Sequence, residues 1–164
     1  MSRCIIGLRN KIGADDGVGL TVARRLRRTL PDGPGVILLR GERLVELPQL
    51  IKDCRQVVII DALPPDGAPG RIVAIRYQTE HRPARPAYSL HDLDLFWQLA
   101  AARRNGFRGE VLLLGIAAES FECRIGLSPT LRQALPALVA EVTRVMQRFW
   151  GGTSRPEMCR GCQR

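Results

Sequence analysis

An apolar strand that leads through a glycine-rich loop directly into a helix is the feature that most constrains this fold. Residues 5–19 read IIGLRNKIGADDGVG, with four glycines among thirteen residues from Gly7 to Gly19. Glycine is costly in backbone entropy, so this density indicates positive φ angles or a close approach of neighbouring chain. Asp15 and Asp16 repel each other unless positive charge is near, and a helix N-terminus supplies part of it. A tight turn with acidic capping residues would explain the same stretch, so both interpretations stay open here.

Strands and helices alternate along the rest of the chain. Apolar runs and helical periodicity predict strands over residues 4–8, 36–39, 57–62, 71–77 and 110–116, and helices over residues 16–30, 42–53, 89–103 and 130–149. We expect Pro48 to divide the second helix and Pro136 to kink the last one. Residues 78–88 form a proline-broken connector that returns to the opposite end of the sheet, where Ser89 is expected to cap the third helix.

The fold class follows from how these strands can be connected. Residues 63–70 hold three prolines and two glycines and are too short for the crossover of about twelve residues that a parallel partner needs. The strand at 71–77 should therefore run antiparallel at a sheet edge. The alternating order predicts an α/β fold, a three-layer α/β/α sandwich with a mostly parallel, five-stranded twisted sheet and one antiparallel edge strand.

Length and composition indicate a single compact unit. The 164 residues are 45% hydrophobic and 25% charged, which suits one domain over residues 1–150 and a flexible tail over residues 151–164. The tail carries one Cys-x-x-C pair, Cys159 and Cys162, which chance explains better than half of a metal site or a redox pair. The net charge of +9 suggests an acidic partner, but the arginines are scattered and no aromatic-basic signature accompanies them. We therefore expect no nucleic-acid partner.

Cysteine usage and hydropathy predict the compartment. Five cysteines, an odd number, show no disulfide-scaffold spacing, and the N-terminus resembles no signal peptide. No stretch approaches the roughly 20 apolar residues of a membrane span. We expect a reduced, cytoplasmic protein that does not contact membranes and is a monomer when isolated.

Polar residues with chemical potential gather at one end of the predicted sheet. Asp15 and Asp16 follow the first strand, Asp61 ends the third strand, and His91 opens the third helix. Sites in such sheets lie beyond the carboxyl ends of the strands. An Asp at a strand end is often only a turn residue, and a His in a first helical turn is often only partly exposed. The helix dipole favours a neutral His91, the form that binds metal, although the carboxylates that follow it oppose this effect. One imidazole and two carboxylates suit a divalent ion such as nickel or zinc.

Four segments together resemble the hydrogenase maturation proteases, which trim the C-terminal extension from the nickel-containing large subunit of NiFe hydrogenases. The segments are IGLRN with DDGVG at 6–10 and 15–19, VIIDA at 58–62, SLHDL at 89–93, and LGI through ES to IGLSPT between 114 and 130. They keep the family's order and spacing from Cys4 to the final helix.

This resemblance implies a phosphorylase/hydrolase-like fold and a nickel-checking aspartyl endopeptidase. Asp16, Asp61 and His91 fall on the family's catalytic and metal-binding positions, and the supporting loop residues are Gly7, Asn10, Asp15 and Gly17. The nickel is carried by the partner, a large-subunit precursor, rather than permanently bound, and cleavage follows a basic residue. A metal bridging substrate and enzyme could polarise a carbonyl or a water, or one aspartate could act as general base.

Two residues depart from the family's pattern. Arg9 replaces the second glycine of the first loop's Gly-x-Gly-Asn, and Arg40 replaces the aspartate of an Asp-Gly pair that ends the second strand. A non-catalytic metal- or precursor-sensing protein of the same fold is therefore an alternative. A phosphate- or nucleotide-binding module is a third hypothesis, but Asp15 and Asp16 occupy the place of the anion and no Walker or GxGxxG motif is present.

Overall fold

The computed structural model describes residues 3–9, 13–30, 35–65, 67–78, 90–122 and 125–151, and side chains of the third helix from residue 94 onward. Several predictions from the sequence lie outside these residues. They concern Asn10, the connector 79–88, the Ser89 cap, and the tail from residue 152 with its two cysteines.

Five strands form one sheet. They are β1 (Arg3–Arg9), β2 (Gly35–Arg40), β3 (Gln56–Leu63), β4 (Ile72–Tyr77) and β5 (Glu110–Ala117). The order across the sheet is β2-β1-β3-β5-β4. Three of the pairings are parallel, and β4 runs antiparallel to β5 at the edge. The predicted topology, including the antiparallel edge strand, is confirmed.

Four α-helices and two short 3-10 helices connect the strands. The α-helices are α1 (Val18–Thr29), α2 (Leu47–Ile51), α3 (Leu90–Arg104) and α4 (Pro129–Trp150), and the 3-10 helices cover Asp15–Gly17 and Gly41–Glu46. None of the helices in this described part of the chain is long and apolar enough to cross a lipid bilayer.

The second helical segment is divided beside Pro48 as expected, but its first part is a 3-10 helix and not an α-helix. The segment begins as a 3-10 helix, and α2 starts only at Leu47, with Pro48 in its first turn. Proline has no N–H to donate inside a helix but is tolerated where N–H groups have no intrahelical partner, so it marks the start of α2. The last helix continues through Pro136.

Alternating strand residues build two cores on opposite faces of the sheet. On one face Ile5, Val58 and Ile60 pack with residues of α1 and α4. On the other face Ile6 and Ile59 pack with residues of α2 and α3. Successive side chains of a strand point to opposite faces, so near-continuous apolar strands require helices on both sides. The predicted three-layer sandwich is confirmed.

The parallel strands all end at one edge of the sheet, which we call the carboxyl rim. It comprises the carboxyl ends of β1, β2, β3 and β5, the segments that follow them, and the first turn of α3. This helix leads into the amino end of β5 and its 15 residues span about 22 Å. Its first turn, with the backbone of His91, therefore lies at the carboxyl rim.

Glycines allow α1 to lie directly on β1 and β3. A Cβ atom on Gly7 would overlap Ala23 Cβ and lie 2.8 Å from the carbonyl oxygen of Gly19. A Cβ on Gly19 would overlap the carbonyl oxygen of Ile60 and lie 3.0 Å from Asp61 Cα. Neither glycine is among the described ones with positive φ. Of the two explanations for this glycine-rich segment, close approach is the one that applies at these positions.

Replacing Gly19 with alanine should destabilise the protein. The added methyl group has no space against Ile60, and overpacking of this kind costs about 1 to 3 kcal/mol. Gly35→Ala is the matched control, because a Cβ there meets only one atom, at 4.0 Å. Urea unfolding should show a lower midpoint for Gly19→Ala than for Gly35→Ala, and equal midpoints would contradict the packing described here.

Candidate active site

A buried carboxylate fastens the first loop of the carboxyl rim to the last. Asp15 is fully buried, and its Oδ2 accepts hydrogen bonds from the backbone N–H groups of Glu119 (2.9 Å) and Ser120 (3.2 Å). Its Oδ1 accepts from the N–H of Ser128 (2.7 Å), the N-cap residue of α4. We call these three bonds the Asp15 clamp. Hydrogen bonds to a charged acceptor are stronger than neutral ones, and this holds the buried charge in place.

Backbone hydrogen bonds reinforce the same junction. The N–H of Ala14 donates to the carbonyl of Glu122 (3.0 Å), and the N–H of Asp15 donates to the carbonyl of Ser120 (3.3 Å). A Cβ on Gly13 would lie 3.0 Å from the carbonyl oxygen of Phe121, so the two loops are in direct contact. The loop after β1 therefore has a fixed position relative to β5.

Asp16 is placed by this junction. It is the second residue of the 3-10 turn Asp15–Gly17, directly before α1, and only 9% of its surface is exposed. This turn contacts β3, the central strand that ends near Asp61. The fixed loop thus brings Asp16 beside the carboxyl end of a strand that is distant in sequence.

Asp61 lies at the carboxyl end of β3 and is partly exposed. Its Oδ1 accepts a hydrogen bond from the N–H of Ala62 (2.8 Å). Since Ile60 and Ala62 pack in the α1 and α4 core, the alternation of the strand directs Asp61 to the α2 and α3 face. The first turn of α3 lies on that face.

His91 is the third predicted site residue. Its backbone belongs to the first turn of α3 at the carboxyl rim, and its side chain lies outside the described residues. The structure therefore brings the backbones of Asp16, Asp61 and His91 to one edge of the sheet. That the three side chains bind one ligand stays a prediction. The described side chains, which do not include that of His91, contain no group of three His, Cys, Asp or Glu residues that could hold a metal ion.

The two described cysteines lie at the opposite end of the sheet. Cys4 is near the amino end of β1, and Cys54 precedes β3. Burial raises the pKa of the Cys4 thiol to about 12, so this thiol is protonated at neutral pH. Burial also raises the pKa of Cys54. Neither thiol therefore lies at the carboxyl rim, and neither is a candidate nucleophile there.

The fold and this edge define the class: an α/β protein with an acidic site at the carboxyl end of a parallel sheet. A model of the hydrogenase maturation protease family matches residues 21–145. A hydrogenase 2 maturation protease from Escherichia coli strain K12 is 28% identical over 147 residues, which cover 87% of this chain and 89% of that protein.

Solved structures give the same result. The hydrogenase maturating endopeptidase HybD from E. coli matches with a TM-score of 0.71 and 25% identity, over 90% of this chain and 93% of that one. The NiFe hydrogenase maturation protease HybD from Thermococcus kodakarensis matches with a TM-score of 0.67 and 25% identity, over 88% and 99% of the two chains.

The chain belongs to the hydrogenase maturation protease family and is a peptidase. The resemblance drawn from the four sequence segments is thereby confirmed. The match to the family model includes Asp61 and His91 and begins after Asp16. Membership of a peptidase family favours the protease interpretation over the phosphate-binding hypothesis.

Sequence reasoning missed two features of the carboxyl rim. It grouped Asp15 with the supporting loop but could not identify its three partners, which are more than 100 residues away. It treated Arg9 and Arg40 as separate departures, whereas they are neighbours on adjacent strands. In both cases the missing information was the pairing of distant segments.

Removing the Asp15 carboxylate should destabilise the protein strongly. Asp15→Ala leaves three backbone donors without their acceptor, and the expected loss is about 3 to 5 kcal/mol. Glu119→Ala is the control, because its exposed side chain accepts a hydrogen bond from Thr130 and does not take part in the clamp, and its backbone bond to Asp15 survives. Thermal unfolding should separate the two variants by roughly 10 °C. Similar midpoints would show that the Asp15 clamp does not hold the loops.

Proposed function

We propose that this protein is the endopeptidase that removes the C-terminal extension of a nickel-loaded large-subunit precursor of a NiFe hydrogenase. Its membership of the hydrogenase maturation protease family supports this assignment. The observation that supports it is the carboxyl rim: the turn bearing Asp16 contacts β3, Asp61 lies at the carboxyl end of β3, and the first turn of α3 lies at the same edge of the sheet. The peptidase domain covers residues 1–150, and the reaction takes place in the cytoplasm with the enzyme as a monomer.

The three rim residues have distinct places in this proposal. Asp16 and Asp61 supply carboxylates and His91 supplies an imidazole, a donor set that suits nickel. The nickel belongs to the substrate, so these residues recognise an ion already seated in the precursor. Gly7, Asn10, Asp15 and Gly17 support the loop, and for Gly7 and Asp15 the basis is the close helix packing and the Asp15 clamp.

The same residues serve either of two hydrolytic routes. If the precursor's nickel contacts the rim, it fixes the position of the scissile bond and can polarise its carbonyl or a water molecule. If one aspartate acts as general base, the carboxylate must reach the attacking water. Asp61 is partly exposed and Asp16 nearly buried, so Asp61 is the more accessible of the two. Because the chain belongs to a family of peptidases, the alternative of a non-catalytic sensing protein is less favoured.

Substituting the rim residues should abolish processing without unfolding the protein. Asp16→Asn, Asp61→Asn and His91→Ala should each lower the cleavage rate of a nickel-loaded precursor by at least 100-fold, since each removes a group from the reacting centre. The measurement is the mobility shift of the precursor on a gel over time. Precursor without nickel should stay uncut by the unaltered enzyme.

Glu110→Gln provides the matched control for this series. Glu110 is an exposed acid at the amino end of β5, so its loss removes one negative charge from the opposite edge of the sheet. This variant should process the precursor at the normal rate, and all four variants should keep far-ultraviolet circular dichroism spectra of the folded protein. Normal cleavage by His91→Ala would remove His91 from the site. Cleavage that does not depend on nickel would contradict recognition of the ion.

A further inference from the structure

Two arginines stand side by side at the carboxyl rim. Arg9 ends β1, Arg40 ends β2, and their Cα atoms are register partners in this parallel pair. Both residues are exposed. Neighbouring strands are about 4.8 Å apart, and register partners point to the same face of a sheet. The two guanidinium groups therefore leave the sheet on the same side.

Neighbouring residues identify that side. Leu8 and Leu39, one residue earlier in each strand, belong to the α2 and α3 core, so Arg9 and Arg40 point to the α1 face. Contacts at Gly17 agree with this orientation, because a Cβ there would lie 3.8 Å from both Cδ and Nε of Arg9. The Arg9 side chain thus lies along the turn that carries Asp16.

Neither arginine is neutralised within the described part of the chain. The ion pairs found there join Arg43 to Glu46, Arg76 to Glu110 and Arg144 to Glu141. Like charges directly opposite each other on paired strands are destabilising. The Arg9–Arg40 pair therefore has a cost in stability, and among the described residues neither guanidinium forms an ion pair that would offset it.

The pair is close to the proposed reacting centre. Gly7 is the register partner of Ile60, and continuing this register puts Leu8 beside Asp61. The Cα atoms of Arg9 and Asp61 are then one strand spacing and one residue apart, or about 6 Å. Their side chains leave opposite faces of the sheet, so a peptide that meets both must cross the carboxyl end of β1. An extended peptide advances about 3.3 Å per residue. A substrate side chain that reaches the pair is therefore about two to four residues from a bond held beside Asp61.

We propose that Arg9 and Arg40 together bind a carboxylate side chain of the precursor, two to four residues from the scissile bond. This inference rests on the proposed function. Guanidinium groups bind carboxylates through paired, charge-assisted hydrogen bonds. Asp16 and Asp61 repel a carboxylate at the bond itself, so the acidic and basic parts of the rim together fix the register of the bound segment. The pair thereby selects which precursors are cleaved.

Steady-state cleavage of the nickel-loaded precursor tests this inference. The double variant Arg9→Gln/Arg40→Gln should lower kcat/KM more than tenfold through a higher KM, while kcat stays within about twofold of the unaltered enzyme. This loss of kcat/KM should become smaller as salt is added. The control Arg24→Gln/Arg25→Gln removes the same charge from exposed positions of α1 and should stay within about twofold of the unaltered enzyme. Because it relieves repulsion, the Arg9/Arg40 variant should unfold at the same or a higher temperature.

Altered precursors identify the bound group. A precursor whose acidic residues within four positions of the scissile bond are replaced by amides should show the same loss with the unaltered enzyme, and no further loss with the double variant. A precursor with an amidated C-terminus should be cleaved normally, and a loss confined to that substrate would overturn the assignment to a side chain. Equal effects of the two double variants would also overturn it. If the unaltered enzyme leaves the precursor uncut, the proposed function fails and this inference fails with it. If the enzyme cleaves the precursor equally well with and without the Arg9–Arg40 pair, only this inference is contradicted.

Discussion

The hydrogen bonds of the buried Asp15 carboxylate determine the geometry of the carboxyl rim. They tie the loop after β1 to the loop after β5 and to the N-cap of α4, three segments that are far apart in sequence. A buried carboxylate without hydrogen-bond partners would have a very high free-energy cost, so the burial of Asp15 requires its three donors to be in place. Because Asp16 is the adjacent residue in the same turn, these hydrogen bonds also fix its position. Of these two neighbouring aspartates, Asp15 is fully buried in the Asp15 clamp, and Asp16 keeps 9% of its surface exposed.

Glycines at the contacts of α1 with β1 and β3 complete this arrangement. Gly7 and Gly19 let the helix lie on β1 and β3 without intervening side chains, so the turn that carries Asp16 reaches the end of β3. Close backbone approach is a requirement that only glycine meets at such contacts. The glycine contacts that build the core therefore also set the position of the turn that carries Asp16, so the same residues affect stability and the geometry of the carboxyl rim.

Much of the fold was predictable because its signals are local or come from simple chain geometry. The apolar strands, the amphipathic first helix and the short link to β4 were enough to derive a three-layer sandwich with an antiparallel edge. The candidate site was predictable as far as Asp16, Asp61 and His91 belong to one edge of the sheet, since that follows from strand direction alone. The extent of α2, the partners of Asp15 and the adjacency of Arg9 and Arg40 were not, because each depends on context or register that single-sequence patterns do not contain.

The charge distribution of the rim now has a physical interpretation. An acidic centre beside Asp61 and a basic pair one strand away would orient a peptide as well as bind it. The central claim beneath this is that Asp16, Asp61 and His91 converge on one cation. Nickel-edge anomalous diffraction from crystals grown with a nickel salt tests it most directly. The account predicts a nickel peak within bonding distance of both carboxylates and the imidazole, and ordered nickel elsewhere, with the three side chains directed apart, would contradict it.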